Sequence, residues 1–226
     1  MSTWWTVAGL GLVFGVQHAL DADHVVAVTA MAAESRSARR SWLLGLRWGL
    51  GHTAALMAVG TFLVVFRVTI PVGLALAFEY GVGAMLVVLG VNVLRTLRRE
   101  RFHVHTHQHD DGVRHLHWHA HAVGRTHAHV HRPFFVGLLH GLAGGAALTL
   151  LIMASAPTLL AGLFFAAVFG VGSIIGMMVV SSALTLPFAA TERFDAAHRT
   201  VTCAAGCLSI AMGLLVAAEL TATALK

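Results

Sequence analysis

Charged side chains are scarce in this sequence: they make up 11% of its 226 residues, and the mean hydropathy is +0.77. A soluble domain normally carries about a quarter charged residues. Apolar stretches longer than about 18 residues recur along the chain, and each is long enough to cross a bilayer. We therefore expect one integral membrane unit rather than a water-soluble fold.

Cysteine is rarer still, with only Cys203 and Cys207, both in the last apolar run. Their i,i+4 spacing places them on one helix face, but their backbone separation disfavours a relaxed disulfide within an intact helix. We expect them to be packing residues rather than a redox pair.

The sequence also lacks the features expected of an ATP-binding protein and of a nucleic-acid-binding protein. The sequence has no phosphate-cradling G-x-x-x-x-G-K-[ST] motif, which argues against ATP as an energy source. The formal net charge of +5 comes from arginines in short segments between apolar runs, without a basic patch interleaved with aromatics. We therefore do not expect nucleic acid as a partner.

The apolar runs predict an all-α integral membrane protein. Six transmembrane helices are expected over residues 4–33, 42–66, 70–96, 133–156, 158–189 and 200–224. The runs lack the alternation of a membrane barrel, so helices are the structure that satisfies their backbone. The start, MSTWWT, lacks the positive segment of a signal peptide, and we keep the first run as a span.

Arginines sort the connections between these spans. They cluster in the first, third and fifth connections, as Arg36, Arg39 and Arg40, then Arg98, Arg99, Arg101, Arg114, Arg125 and Arg132, then Arg193 and Arg199. Connections rich in arginine stay in the cytoplasm. The pattern predicts a multi-pass protein of the cell (inner) membrane with both termini outside.

The two halves of the chain resemble each other. GVQHAL at 15–20 aligns with GLLHGL at 137–142, GLGHTAALM at 49–57 with GVGSIIGMM at 170–178, and GAMLVVLG at 83–90 with GCLSIAMG at 206–213. Because each half has three spans, the second copy enters the membrane from the opposite side. Inverted repeats are an architecture of secondary transporters, whose substrate site lies near the midplane.

This repeat divides the chain into three parts. We expect a first three-helix repeat over 1–97, a cytoplasmic His-rich loop over 98–132 and a second three-helix repeat over 133–226.

Four ionisable residues interrupt the first apolar run: His18, Asp21, Asp23 and His24. A charge at the bilayer centre costs about 2.5–3.5 kcal/mol on insertion scales, so lipid exposure is excluded and a functional role is favoured. Imidazole and carboxylate together suit a borderline divalent cation. In an intact helix His18, Asp21 and His24 share a face while Asp23 points away. In a helix broken near 20–23 all four can converge.

His52, in the second span, is the fifth candidate ligand. Gly45, Gly49 and Gly51 surround it, and small residues let helices approach closely, so we expect this span to pack against the first. The repeat aligns His18 with His140 and His52 with Ser173, which makes His140 and Ser173 candidate contributors from the second half. Glu219 is expected to pack or to lie at the interface rather than bind.

The HALDADH segment and the later GLGHT resemble the NiCoT (NicO) family of nickel/cobalt transporters. His18, Asp23 and His24 match that family's H-x4-D-H motif, Asp21 its inner acid, and His52 with Thr53 its second motif. The resemblance implies that these residues recognise and carry the metal. Gln17 stands where members usually have arginine, and GLLHGLAGGAAL lacks an acid, so the chain is more similar to the short six-span, urease-accessory-type branch.

The connection between the halves is rich in histidine: His103, His105, His107, His109, His115, His117, His119, His121, His127, His129 and His131. Short tracts of this kind bind metals. With few apolar residues to bury, the segment is expected to be disordered when metal-free.

Together these features predict a carrier rather than an enzyme, with no cofactor and with Ni²⁺ or Co²⁺ as the transported ion. The expected partners are that ion, the lipid bilayer and, as a candidate, a cytosolic metallochaperone. The alternatives are a membrane-embedded metalloenzyme, a metal sensor and a thiol-redox membrane protein. The sequence leaves uptake or efflux, the coupling ion and the oligomeric state open.

Overall fold

A computed structural model describes residues 2–34, 41–66, 68, 70–99, 104–108, 114–118, 131–143 and 158–224. Within these ranges the chain forms seven helices and two strands. They are α1 (Ser2–His18), α2 (Ala22–Glu34), α3 (Ser41–Phe66), α4 (Val72–Arg99), β1 (Val104–Gln108), β2 (Arg114–Trp118), α5 (Arg132–Leu142), α6 (Leu159–Thr191) and α7 (Asp195–Ala224). The fold is helical apart from the strand pair.

The first predicted span consists of two helices, because the chain leaves α1 at His18 and starts α2 at Ala22. A tight turn joins them, in which the backbone N–H of Asp21 donates to the His18 carbonyl over 3.1 Å. The next helical bond runs from the N–H of Val25 to the Asp21 carbonyl, 3.0 Å. The broken form of this span, one of the two alternatives that helix geometry left open, is therefore the one observed.

Helix α2 lies at the centre of the molecule. Its residues Ala27, Val28 and Ala30 are completely buried, and α4, α6 and α7 surround it. A helix that is apolar on every side belongs in an interior, and the small side chains of AVTAMAA allow three neighbours to close around it. The ionisable residues at its start are thereby held inside the helix bundle.

Three of the described helices, α4, α6 and α7, are long and apolar enough to cross a membrane. Their outward faces are apolar too: Val72, Leu160 and Val179 are 76%, 68% and 63% exposed. Exposed apolar surface on this scale marks a face meant for another apolar phase, as expected of a membrane protein. Of the predicted span 133–156, α5 covers the beginning, and residues 144–157 lie outside the described residues.

Glycines set how the two halves of the chain meet. A Cβ atom on Gly15 of α1 would overlap the carbonyl oxygen of Phe169 in α6, and one on Gly137 of α5 would overlap that of Trp48 in α3. Helix α1 therefore packs against α6, and α5 against α3, at backbone contact. Close approach of this kind requires residues without a side chain.

The neighbours of α3 differ from our expectation. Gly45 and Gly49 approach Met177 and Ile174 of α6, and Gly51 approaches α5. We expected these small residues to admit the first span. They instead admit two helices of the second half, which places His52 between the halves of the molecule.

The His-rich connection contains an antiparallel hairpin of β1 and β2. The prediction of disorder is wrong for these residues. Alternation of histidine with other residues has the period of a strand, and in the observed register His105 pairs with His117 and His107 with His115.

Candidate metal centre

Three histidines meet where the first span is broken. His18 ends α1, His24 lies in the first turn of α2, and His52 comes from the middle of α3. One ring nitrogen of each lies within 4.8 Å of the other two. His24 and His52 are 2% and 0% exposed, so water has little access to this group.

Asp21 fixes the orientation of His18. The Nδ1 of His18 lies 2.7 Å from the Asp21 carboxylate, and its Nε2 lies 3.2 Å from the Nε2 of His52. A carboxylate that accepts the proton of one imidazole nitrogen leaves the other nitrogen as the metal-facing atom. Two Nε2 atoms directed at each other are the arrangement that an ion between them would use.

Asp23 does the same for His24. The Asp23 Oδ1 accepts from the backbone N–H of His24 over 2.9 Å and lies 3.0 Å from its Nδ1. The Nε2 of His24 is buried and has no hydrogen-bond partner among the described residues, and the same is true of the Nδ1 of His52. A buried nitrogen without a partner costs about 1–3 kcal/mol, and a bound ion would remove that cost at His24.

A second group shares His24 with the first. Its members are Asp23, His24 and His140, whose ligand atoms also lie within 4.8 Å of one another. The Oδ2 of Asp23 lies 2.8 Å from the Nε2 of His140, and the rings of His24 and His140 are 4.0 Å apart between centroids. His140 is the contribution of the second half, brought in by the contact between α5 and α3.

Trp48 closes one side of the cluster and was missed at the level of sequence. It is completely buried, with ring centroids 5.3 Å from His24 and 5.7 Å from His140. The signal was its position four residues before His52, which places both on one face of α3. A large aromatic here excludes water and narrows the space left for an ion.

The remaining candidates lie around the cluster. Asp21 is 54% exposed and belongs to neither ligand group. Ser173 is completely buried on α6, next to the backbone of Gly15, and it also lies outside both groups. Thr53 donates its hydroxyl to the Gly170 carbonyl over 3.3 Å and so fastens α3 to α6.

The loop histidines divide by position. His105, His107, His115 and His117 belong to the hairpin, and His131 is exposed just before α5. His103, His109, His119, His121, His127 and His129 lie outside the described residues.

The donor set fits a divalent transition ion. Neutral imidazoles suit ions such as Ni²⁺, Cu²⁺ and Zn²⁺, and geometry rather than raw affinity selects among them. Two carboxylates within hydrogen-bond distance of these imidazoles offset the charge of a dication in the bundle. His18 at the C-terminal end of α1 adds the negative end of a helix dipole.

Comparison with known proteins gives one informative match. The urease accessory protein UreH of Bacillus sp. (strain TB-90) is 30% identical over 211 residues, a region that covers 92% of this chain and 89% of that protein. No family model matches, and no solved structure matches significantly.

Proposed function

This chain belongs to the family of the urease accessory protein UreH, and on that premise we propose that it carries nickel(II) or cobalt(II) across a membrane, by alternating access and without ATP. The choice of metal rests on the resemblance of the HALDADH and GLGHT segments to the nickel/cobalt transporters. Membership of the UreH family agrees with a role in metal handling rather than catalysis.

The observation that carries this proposal is the orientation of the imidazoles. His18 and His24 each turn Nδ1 to a carboxylate, and the Nε2 of His18 faces that of His52 across 3.2 Å. The Nε2 of His24 is buried without a partner in the described part of the chain, and a bound ion would satisfy it. We infer that the ion lies between the three histidines.

The proposed inverted repeat is supported by pairs of equivalent contacts. Gly15 meets Phe169 as Gly137 meets Trp48, and these are aligned positions in the two halves. Two inverted units related in this way can rock around a site at their interface.

A second pair of aligned contacts follows the same rule. A Cβ atom on Gly51 would overlap the carbonyl oxygen of Phe134, and one on Gly172 would overlap that of Leu12. Exchange of the halves turns one contact into the other, which chance similarity between apolar helices would not produce.

For topology we propose six spans in the inner membrane, made by α1 with α2, by α3, by α4, by a segment beginning with α5, by α6 and by α7. Both termini then lie outside, and the loop over 98–132 lies in the cytoplasm between the repeats 1–97 and 133–226. Its histidines are proposed to bind metal in an auxiliary role, since the hairpin register sets His105 opposite His117 and His107 opposite His115. A cytosolic metallochaperone is the candidate recipient.

The test is nickel flux into proteoliposomes. Purified protein should accumulate radioactive nickel down its gradient without ATP, and His18→Ala should reduce the rate to that of empty liposomes. His198→Ala is the matched control, because His198 lies on α7 outside both ligand groups. Its uptake should equal that of the wild type.

A variant of the His-rich loop tests whether transport depends on the membrane cluster or on the loop histidines. With the eleven loop histidines changed to glutamine, uptake should continue, since the membrane cluster is intact. Loss of all uptake in this variant, or wild-type liposomes that accumulate no divalent metal, would overturn the proposed function.

A further inference from the structure

A cavity of about 440 Å³ lies between α4 and α7 and reaches the start of α2. Its described lining includes three carboxylates, those of Asp23, Glu79 and Glu219, and no basic side chain. The other lining residues are mostly apolar side chains of α4 and α7. A cavity with low-dielectric walls and charges of one sign raises the local concentration of the opposite ion.

Two of the three acids lie near the ends of their helices. Glu79 lies seven residues inside the start of α4 and Glu219 five residues before the end of α7. At 1.5 Å per residue these positions are about 10 Å and 8 Å from the helix ends. Both helix ends face the same side of the molecule, because Tyr80 and Thr221 are hydrogen-bonded across them at 2.9 Å. Asp23, at the start of α2, is the third acid of the lining.

Asp23 is also a member of the second ligand group. Its carboxylate joins the cavity to His24 and His140, and His140 is 2% exposed. The Nδ1 of His140 is buried without a hydrogen-bond partner among the described residues. A buried nitrogen without a partner is unfavourable, and a bound ligand would remove that cost.

We propose that Asp23, His24 and His140 form a second, outer station for the transported divalent cation, and that Glu79 and Glu219 line the passage that leads to it. This inference rests on the proposed function and adds a route to it. The three-histidine site formed by His18, His24 and His52 is then the inner station.

The shared histidine explains how an ion passes between the stations. His24 is a member of both groups, so an ion moving between the stations stays beside this residue while Asp23 and His140 are exchanged for His18 and His52. Stepwise exchange avoids a bare dication at membrane depth, where charge is expensive. The outer station spans the two halves of the chain, while the inner one belongs to the first half alone.

The passage is tested with the double variant Glu79→Gln/Glu219→Gln in oriented vesicles, with Ni²⁺ alone as the probe. At low ionic strength and low nickel concentration, uptake from the side of the cavity should fall about tenfold, the lower end of electrostatic steering effects. The loss should appear in KM rather than in the maximal rate, and it should shrink in about 0.5 M salt because screening removes steering. Transport from the opposite side should be unchanged.

Glu192→Gln is the matched control for this variant. Glu192 is an exposed glutamate that follows α6 and lies outside the lining of the cavity. It should behave as the wild type from both sides.

The station itself is tested by His140→Gln, with cobalt(II) absorption as a binding readout. The wild type should bind Co²⁺ with a spectrum that includes an oxygen ligand contribution at high metal, whereas the variant should keep the imidazole-only spectrum of the inner station. Its uptake should fall about tenfold or more, the range found when a metal site loses a partner. His140→Asn, which also removes the ring, should reproduce the result if folding is intact.

The two proposals fail in different ways. If wild-type vesicles take up no nickel, the proposed function is wrong. If they take it up and the Glu79→Gln/Glu219→Gln and His140→Gln variants match the wild type, the outer station is wrong and the carrier stands. An equal loss from both sides of the membrane would also overturn the assignment of the passage.

Discussion

The two halves of this molecule share a scaffold and differ in their chemistry. His18 and His140 occupy aligned positions, and in both places a turn with a backbone hydrogen bond across three residues starts at the histidine carbonyl. The N–H of Asp21 donates to the His18 carbonyl, and the N–H of Ala143 donates to the His140 carbonyl, each over 3.1 Å. The turn is the same, but an acid stands in the first half where alanine stands in the second.

The difference teaches that packing and binding are separable in this fold. Backbone contacts at Gly15 and Gly137 are equivalent, whereas three histidines and two acids are concentrated in the first half. The aligned backbone contacts therefore do not require the same ionisable side chains in both halves.

The largest effect is expected from His24→Gln, set against Ser173→Ala in the second half. His24 belongs to both ligand groups, so its loss should lower nickel uptake by more than about 100-fold. This exceeds the loss caused by removing a residue that only hydrogen-bonds to a metal ligand. Ser173 aligns with His52 but lies outside both groups, and Ser173→Ala should keep uptake within about twofold, as substitutions away from a site do. Equal defects in the two variants would show that the halves do not differ in this way.

A smaller effect should separate the two acids of the first half. Asp23 holds both His24 and His140, whereas Asp21 holds only His18 and is 54% exposed. We expect Asp23→Asn to lower cobalt affinity toward the upper end of a range of about 10–100-fold, and Asp21→Asn toward its lower end. Titration followed by cobalt absorption measures both, and a reversed order would contradict the assigned contacts.

The shared scaffold is tested by Gly15→Leu and Gly137→Leu. Each added side chain would overlap backbone of the opposite half, so each should lower the free energy of unfolding by about 1–3 kcal/mol, the usual cost of overpacking. Gly9→Leu is the matched control on α1, since nothing lies within 4 Å of a Cβ atom there. Thermal unfolding in detergent compares the three variants, and a defect at Gly15 without one at Gly137 would break the equivalence.

The smallest effect is expected at the cysteines. Cys203 and Cys207 are free and exposed on α7, and neither belongs to the two ligand groups. Cys203→Ser/Cys207→Ser should leave nickel uptake within about twofold of the wild type, as exposed substitutions usually do. A lost activity, restored only when both thiols return, would revive the thiol-redox alternative.

The sequence indicated which residues form the cluster, but not which acid contacts which histidine. The cost of intramembrane charge singled out His18, Asp21, Asp23 and His24. Which acid would face inward depended on whether the helix was broken. In an intact helix Asp23 points away from His18, and only the observed turn at 19–21 brings it between His24 and His140. That turn depends on how α1 and α2 pack against different neighbours, which periodicity does not encode.

Other residues around the cluster and the cavity could not be predicted from the sequence for similar reasons. Trp48 and Glu79 look like ordinary residues of apolar helices, and only the packing of α3 and α4 reveals that they border the cluster and the cavity. The hairpin was not predicted because the low apolar content of this segment indicated disorder. The histidines nevertheless alternate with a period of two, which is the period of a strand. Helix positions were predictable because apolar runs of this length leave the backbone few alternatives.

The break between α1 and α2 also has a mechanical consequence. Helix α1 packs mainly on α6, whereas α2 is shared among α4, α6 and α7. A change in the angle between them would disturb only the short turn at 19–21 and leave the hydrogen-bond ladders of both helices whole. His18 lies on one side of this turn and His24 on the other, so a change in the angle between α1 and α2 would change the distance between the two imidazoles.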